Sequence, residues 1–250
     1  MPNKPTVCLA CLHNQADAQF MNRWLSMLNY DWVTESVSVK TDAPPSGVLS
    51  KTIDGKRRTS LHDNYGVGFD KQPSAGGFHE LRARNDLLRL AEKTGCDWIL
   101  LADPDELFRD ETFHEIQLAN RVRKDVVWFE CYHYCAPNQY LWWPDTLRQI
   151  HGSRRKLHDA HPRAIRASAK LRYVQNNNNA FRKRLRNHTM HCHLQPHSSN
   201  AAHIAYGIHH IHTRHMFDPK RPDPERLTKF DKKISPYTLP ELYVNAFNNQ

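Results

Sequence analysis

The sequence predicts an α/β protein with a Rossmann-like, mostly parallel sheet and helices on both of its faces. Three observations carry that prediction. Short apolar segments alternate with stretches of helical periodicity through roughly the first 110 residues, the order expected of strand–helix–strand units. Each predicted strand of this half runs into polar residues, where sheets of this kind bind ligands. The chain has 250 residues, 39% of them hydrophobic, which is enough for one large core.

The elements follow in order. Thr6 to Leu12 (TVCLACL) reads as a buried strand, stopped by His13 and Asn14. Ala16 to Leu28 carries Phe20, Trp24, Leu25, Met27 and Leu28 at helical spacing. Ser36 to Lys40 (SVSVK) alternates as a second strand and runs into Thr41-Asp42-Ala43-Pro44-Pro45. Residues 44 to about 77 are polar and rich in Gly, Ser and Pro, and read as a long functional loop. A helix is expected over Glu80 to Lys93, closed by Gly95. The apolar run CDWILLA comes next and ends in three carboxylates, Asp103, Asp105 and Glu106.

The second half reads differently. Val126 to His133 is a strand, and Tyr140 to Asp145 is an aromatic-rich turn. Asn176 to Asn179 is a loop tip, and an extended tail with short helical pieces is expected from Pro219 onward. The chain is read as a single domain, 1–250, with a working boundary near residue 125.

Charge divides at that boundary. Up to residue 125 there are 16 Lys+Arg against 18 Asp+Glu, a net −2; beyond it there are 19 against 8, a net +11. The front half is suited to hold a metal ion or its ligand, and the basic back half to face a polyanion or an anionic surface. No apolar stretch reaches the length of a membrane span. The N-terminal run reads as a first strand rather than a signal peptide, so the expected location is cytoplasmic, in the host cytoplasm if the protein is phage-encoded. The six cysteines fit buried thiols in a reducing compartment. Cys8 and Cys11 form a CxxC whose only partner pair for a zinc site is Cys131/Cys135.

The carboxylates raise the sharpest question. Asp103 and Asp105 are two apart, which on a strand puts both on one face, with Pro104 stiffening the link. Like charges at this spacing favour proton uptake unless something holds them ionised. A hard divalent cation does so, and Mg²⁺ or Mn²⁺ typically combines one or two carboxylates with substrate phosphates. Glu106 reads as a helix-start residue or one that supports the ligands from behind.

ARNDLLRLAEKTGCDWILLADPDELF, with VCLACLHNQ as a first strand and SVKTDAP as a second, resembles the GT-A-type nucleotide-sugar glycosyltransferases, in particular their family-2-like group. The resemblance covers residues 6 to 110. It implies a DxD motif at Asp103 and Asp105 that binds a metal and the donor diphosphate. It implies a nucleotide-sugar donor, expected to be a UDP-sugar, with residues 1–125 as the donor- and metal-binding half and 126–250 as the acceptor-binding half. Asp42 would lie near the donor base and Arg84 would support the sugar or diphosphate. His13 and Asn14, at the end of the first predicted strand, complete the expected donor-site residues.

Seventeen histidines are present, nine of them between residues 188 and 215. HxH on a strand puts two imidazoles on one face. The resemblance implies a late histidine that completes the metal site, here His212, with His210, His191 and His193 as alternates. Imidazole suits Mn²⁺ better than Mg²⁺. A zinc or iron site made of these histidines alone lacks a nearby carboxylate until Asp218.

An inverting transfer needs a carboxylate base for the acceptor hydroxyl. Acidic residues are scarce in the second half, and Asp145 and Asp159 are the two candidates. A retaining transfer needs neither. The segments HGSRRKLHDAHPRAIR and AFRKRLRNH, near Trp142, Trp143, Tyr140 and Tyr173, suit phosphate tracking and base stacking. They favour a hydroxymethylated base in DNA as acceptor, with a cell-surface or lipid-linked glycan as the alternative. A basic nucleic-acid-binding module without enzymatic activity is the other reading, and the oligomeric state stays open.

Overall fold

The computed structural model describes residues 4–65, 80–136, 139–141, 154, 156, 157, 159–175, 192–195, 202–213 and 227–229. In chain order the elements are β1 Val7–His13, α1 Ala18–Ser26, β2 Val33–Lys40, β3 Asp42–Ile53, β4 Lys56–Asn64, α2 Glu80–Glu92, β5 Trp98–Leu101 and β6 Glu106–Phe108. They continue with α3 Thr112–Arg121, β7 Val126–Ala136, β8 Gln139–Leu141, β9 His161–Arg166, β10 Arg172–Gln175, β11 Cys192–Gln195, β12 Ala202–His212 and β13 Leu227–Lys229. Two compact units interleave along the chain. The first comprises Met1–Gln19, Asp31–Asp103 and Ile165–His197; the second comprises Phe20–Tyr30, Pro104–Ala164 and Ser198–Gln250.

The first unit is a Rossmann-like α/β sheet in the order β5-β1-β2-β4-β3. β1 pairs in parallel with β5 and with β2, and β2 pairs in parallel with β4. The register sets Ala10 against Leu101 and His13 against Lys40, so these strands present their carboxyl ends along one edge. β1 is buried from Val7 to Leu12, and Trp98 to Leu101 of β5 is buried throughout, as central parallel strands require. α2 packs against β1 and β2 through Ala83, Leu87, Leu88 and Ala91. The β10–β11 ribbon is antiparallel, and β10 is fastened to α2 by Arg172 on Glu92.

The second unit is built around β7 and β12, which run parallel. β6 pairs antiparallel with β12, β8 pairs antiparallel with β7, and β13 pairs antiparallel with β8. β9 lies beside β7. The ladder between β7 and β12 is interrupted: Ala205 faces Phe129 and His210 faces Cys131, so five steps along β12 match two along β7. Gly207 sits inside this bulge at φ 104°, a conformation glycine adopts freely, and its N–H donates to Glu130 Oε2 at 3.3 Å. α3 covers β7 and β12 with Phe113, Ile116 and Ala119.

Several expectations need correction. The polar segment after residue 44 is not a loop up to Asn64: β3 and β4 form a hairpin over Asp42–Asn64, and β4 extends the parallel sheet. Its turn is Asp54-Gly55, both at positive φ (52° and 74°), the pattern that matches hairpin twist. Residues 66–79 lie outside the described ones. His13 is the last residue of β1 rather than its stop. β5 ends at Leu101, so Asp103 and Asp105 sit in the segment before β6, and the strand-alternation argument for their facing does not apply. Glu106 opens a strand, not a helix. Gln139 to Leu141 is strand rather than turn, and a strand also forms at Leu227–Lys229 within the expected tail. Asn176 to Asn179 lies outside the described residues. Among the described residues no helix is long and apolar enough to cross a membrane.

Candidate functional site

Three strands of the second unit each place residues two apart on one face: Cys131 and His133 on β7, His161 and Arg163 on β9, His210 and His212 on β12. Asp105, Glu106 and Asp159 bring carboxylates to the same cluster. The β6–β12 ladder sets His212 opposite Glu106, and the Thr213 N–H and hydroxyl both donate to the Asp105 carbonyl, at 2.7 and 2.8 Å. That anchoring leaves His212 Nε2 3.4 Å from Asp105 Oδ2. Asp105 is 3% exposed and His212 19%.

Glu106 is fully buried between Arg163, with which it is ion-paired, and His210 Nε2 at 3.0 Å. Burial alone would raise its pKa, but the Arg163 guanidinium and His210 outweigh it and hold the carboxyl well below its usual range. The His210 ring stacks on Phe108 at 4.8 Å between centroids. Burial lowers its pKa below the ordinary histidine value, and the Glu106 carboxylate opposes that only in part.

Asp159 forms the third pole. Its Oδ2 is 2.7 Å from His133 Nε2 and 3.1 Å from His161 Nε2. Burial pushes its pKa up, and the hydrogen bonds from the two imidazoles more than reverse that, leaving it well below the ordinary carboxylate range. A carboxylate held this firmly ionised is a weak proton acceptor and a good electrostatic partner. Asp159 also has φ 36°, an uncommon backbone state that aspartate tolerates better than most residues. The His133 ring lies 4.8 Å from that of His212, which joins the Asp105 and Asp159 poles. Among the described residues of the cluster, three carboxylates meet one guanidinium, so with neutral imidazoles the group carries −2 and favours a cation.

In the first unit the predicted donor-site residues gather at the carboxyl edge of the sheet. Asn14 and Asp17 form a reciprocal cap on the turn after β1. Asp42 Oδ2 accepts the Gln15 N–H at 2.7 Å, and the His13 carbonyl accepts the Thr41 N–H at 3.0 Å. Burial, with Lys40 and His62 nearby, lowers the His13 pKa to about 4. Arg84, buried on α2, has Nη1 3.8 Å from Asp103 Oδ1 and its guanidinium over the Tyr173 ring. Asn85 fixes Tyr173 by exchanging hydrogen bonds with its backbone, at 2.8 and 3.0 Å.

Of the remaining sequence candidates, Asp145 and His191 lie outside the described residues, and of His193 only the strand backbone is described. His209 turns the other way from His210, its Nε2 3.9 Å from Glu115 on α3. Cys8 and Cys11 are buried cysteines of β1, not joined in a disulfide. The sequence reading missed His133, His161 and Arg163, and weighed Cys131 only as a zinc partner of the Cys8/Cys11 pair. Their signal was the same two-residue alternation that drew attention to His210 and His212.

No protein-family model matches the chain, and no curated protein does. Among solved structures, the chain is similar to the crystal structure of residues 1–349 of S. aureus TarS, with a TM-score of 0.45 and 11% sequence identity over 84% of this chain. The match spans 61% of the TarS chain. A likeness of this size carries no argument about function.

Proposed function

We propose that the protein is a metal-dependent glycosyltransferase that moves a sugar from a nucleotide-sugar donor to an acceptor hydroxyl. The observation that carries this reading is the pairing of His212 with Asp105, the second carboxylate of the DPDE motif. One carboxylate oxygen and one imidazole nitrogen form a donor set that fits Mn²⁺ better than Mg²⁺. Asp105 and His212 would hold the ion, and Asp103 enters through the sequence motif alone. When bound, the ion would offset the charge that develops on the leaving diphosphate.

The chain's own residues have the complementary tasks. Thr213 fixes the Asp105 backbone, and His133 supports His212 from behind. Arg84 supplies a buried, fixed positive charge at the carboxyl edge of the first unit's sheet, suited to a diphosphate or sugar hydroxyl. Because Asp159 is held by two imidazoles, Asp145 is the first place to seek an acceptor base for an inverting transfer. The net +11 of residues 126–250 supports a polyanionic acceptor, and a hydroxymethylated base in DNA is the one we favour over a glycan.

The test is a thermal-shift panel of UDP, GDP, CDP and ADP, each with Mn²⁺, Mg²⁺ or EDTA. Ligands that bind only the folded state raise its stability by mass action. A metal-dependent rise with one nucleotide is the expected result and identifies the donor base. The absence of a rise with every pair, alongside salt-sensitive DNA binding, would replace this reading with that of a binding module.

A further inference from the structure

We propose that Cys131, Asp159 and His161 form a binding site for Zn²⁺, with a ligand set separate from the Asp105–His212 pair. The inference does not depend on the glycosyltransferase reading. A thiol sulfur, a carboxylate oxygen and an imidazole nitrogen, one from each residue, all lie within 4.8 Å of one another. They come from three places in the fold: the middle of β7, the turn at Asp159 and the first residue of β9. Asp159 Oδ2 and His161 Nε2 are already 3.1 Å apart. Zinc bonds of about 2.0–2.3 Å in a tetrahedron set neighbouring ligand atoms roughly 3.3–3.8 Å apart. The sulfur therefore has at most about 1.5 Å to close.

The chemistry selects the ion. Mg²⁺ and Ca²⁺ take oxygen ligands, whereas a thiolate beside an imidazole and a carboxylate suits zinc. Three protein ligands leave the fourth tetrahedral position open. His210 Nε2, although 3.9 Å from Cys131 Sγ, is engaged by Glu106 at 3.0 Å, so the fourth position falls to water or a substrate group. His133 donates to Asp159 from outside the group, the arrangement by which a second residue orients a metal-binding carboxylate. The excess negative charge of the surrounding cluster supplies the attraction. Binding would exchange the thiol proton for the metal and fasten β7 to the start of β9.

The experiment uses the full chain, stripped with chelator and titrated with Zn²⁺ or, as a spectroscopic probe, Co²⁺. Expected are one bound zinc per chain, a sulfur at about 2.3 Å in the zinc X-ray absorption spectrum, and a thiolate-to-cobalt charge-transfer band. Cys131→Ser should lose the band and the sulfur, and His161→Gln should weaken zinc binding at least tenfold. Asp105→Asn should retain both signals even where it abolishes the nucleotide-dependent shift, which keeps the two readings distinguishable. Zinc bound to the parent without sulfur, or a sulfur signal that survives in Cys131→Ser, would overturn the site. The parent spectrum decides this even where a variant folds poorly.

Discussion

His212 Nε2 lies 3.4 Å from Asp105 Oδ2, brought there by the antiparallel pairing of β6 with β12 rather than by proximity in sequence. The relationship makes a direct prediction. Asp105→Asn and His212→Ala should each remove the Mn²⁺- and nucleotide-dependent rise in melting temperature. Both should leave the metal-free melting temperature close to that of the parent. A variant that keeps the full ligand-dependent rise would remove that residue from the proposed site.

Arg163 and Glu106 form a buried pair, with His210 as the second partner of the carboxylate. Arg163→Met strands a buried negative charge and should cost about 3–5 kcal/mol in urea unfolding. Adding Glu106→Gln to it removes that charge and should restore a large part of the loss. Equal stability of the single and double variants would mean that the charge is not the source of the cost.

His13 gives a pH dependence of definite sign. Its pKa is lowered from 6.5 to about 4 in the folded state. Between those values the unfolded chain binds more protons, so stability is fully present above pH 6.5 and falls as the pH drops toward 4. The shift corresponds to at most about 3 kcal/mol. His13→Asn should flatten the stability profile over this window, as followed by denaturant midpoints at successive pH values. A profile as steep as the parent's would assign the slope to other groups.

Gly55 holds the second turn position of the β3–β4 hairpin at φ 74°, with open space where a Cβ would stand. Gly55→Ala therefore tests backbone conformation without a clash and should destabilise by about 1 kcal/mol. An unchanged urea midpoint would show that the turn adjusts freely.

Much of the first unit was legible because buried parallel strands leave short apolar runs and α2 leaves a helical stripe. The hairpin was missed because its strands are rich in polar residues, β3 exposed and β4 half-buried, so composition outweighed the Asp54-Gly55 signal. Asp105, Asp159 and His212 were chosen from sequence because carboxylates and histidines stand out by chemistry. His133, His161 and Arg163 were not, and Cys131 was weighed only beside Cys135, because each lies in a segment with its own local reading. Only the pairing of β7 with β12 and the neighbouring position of β9 bring them to one face, and such long-range pairing has no local sequence signature.

The bulge in β12 also governs how this chain can tolerate changes in length. Residues 206–209 absorb an odd number of extra positions between two correctly paired stretches of the ladder. Removing a single residue there would reverse the facing of everything beyond it. His210 and His212 would swap sides with His209 and Ile211, and the cluster would lose both imidazoles while the strand itself could still form. Gly207 apart, where φ 104° disfavours any side chain, substitutions in this segment are thus safer than deletions, and homologous chains that share the chemistry should preserve its length even where they vary its sequence.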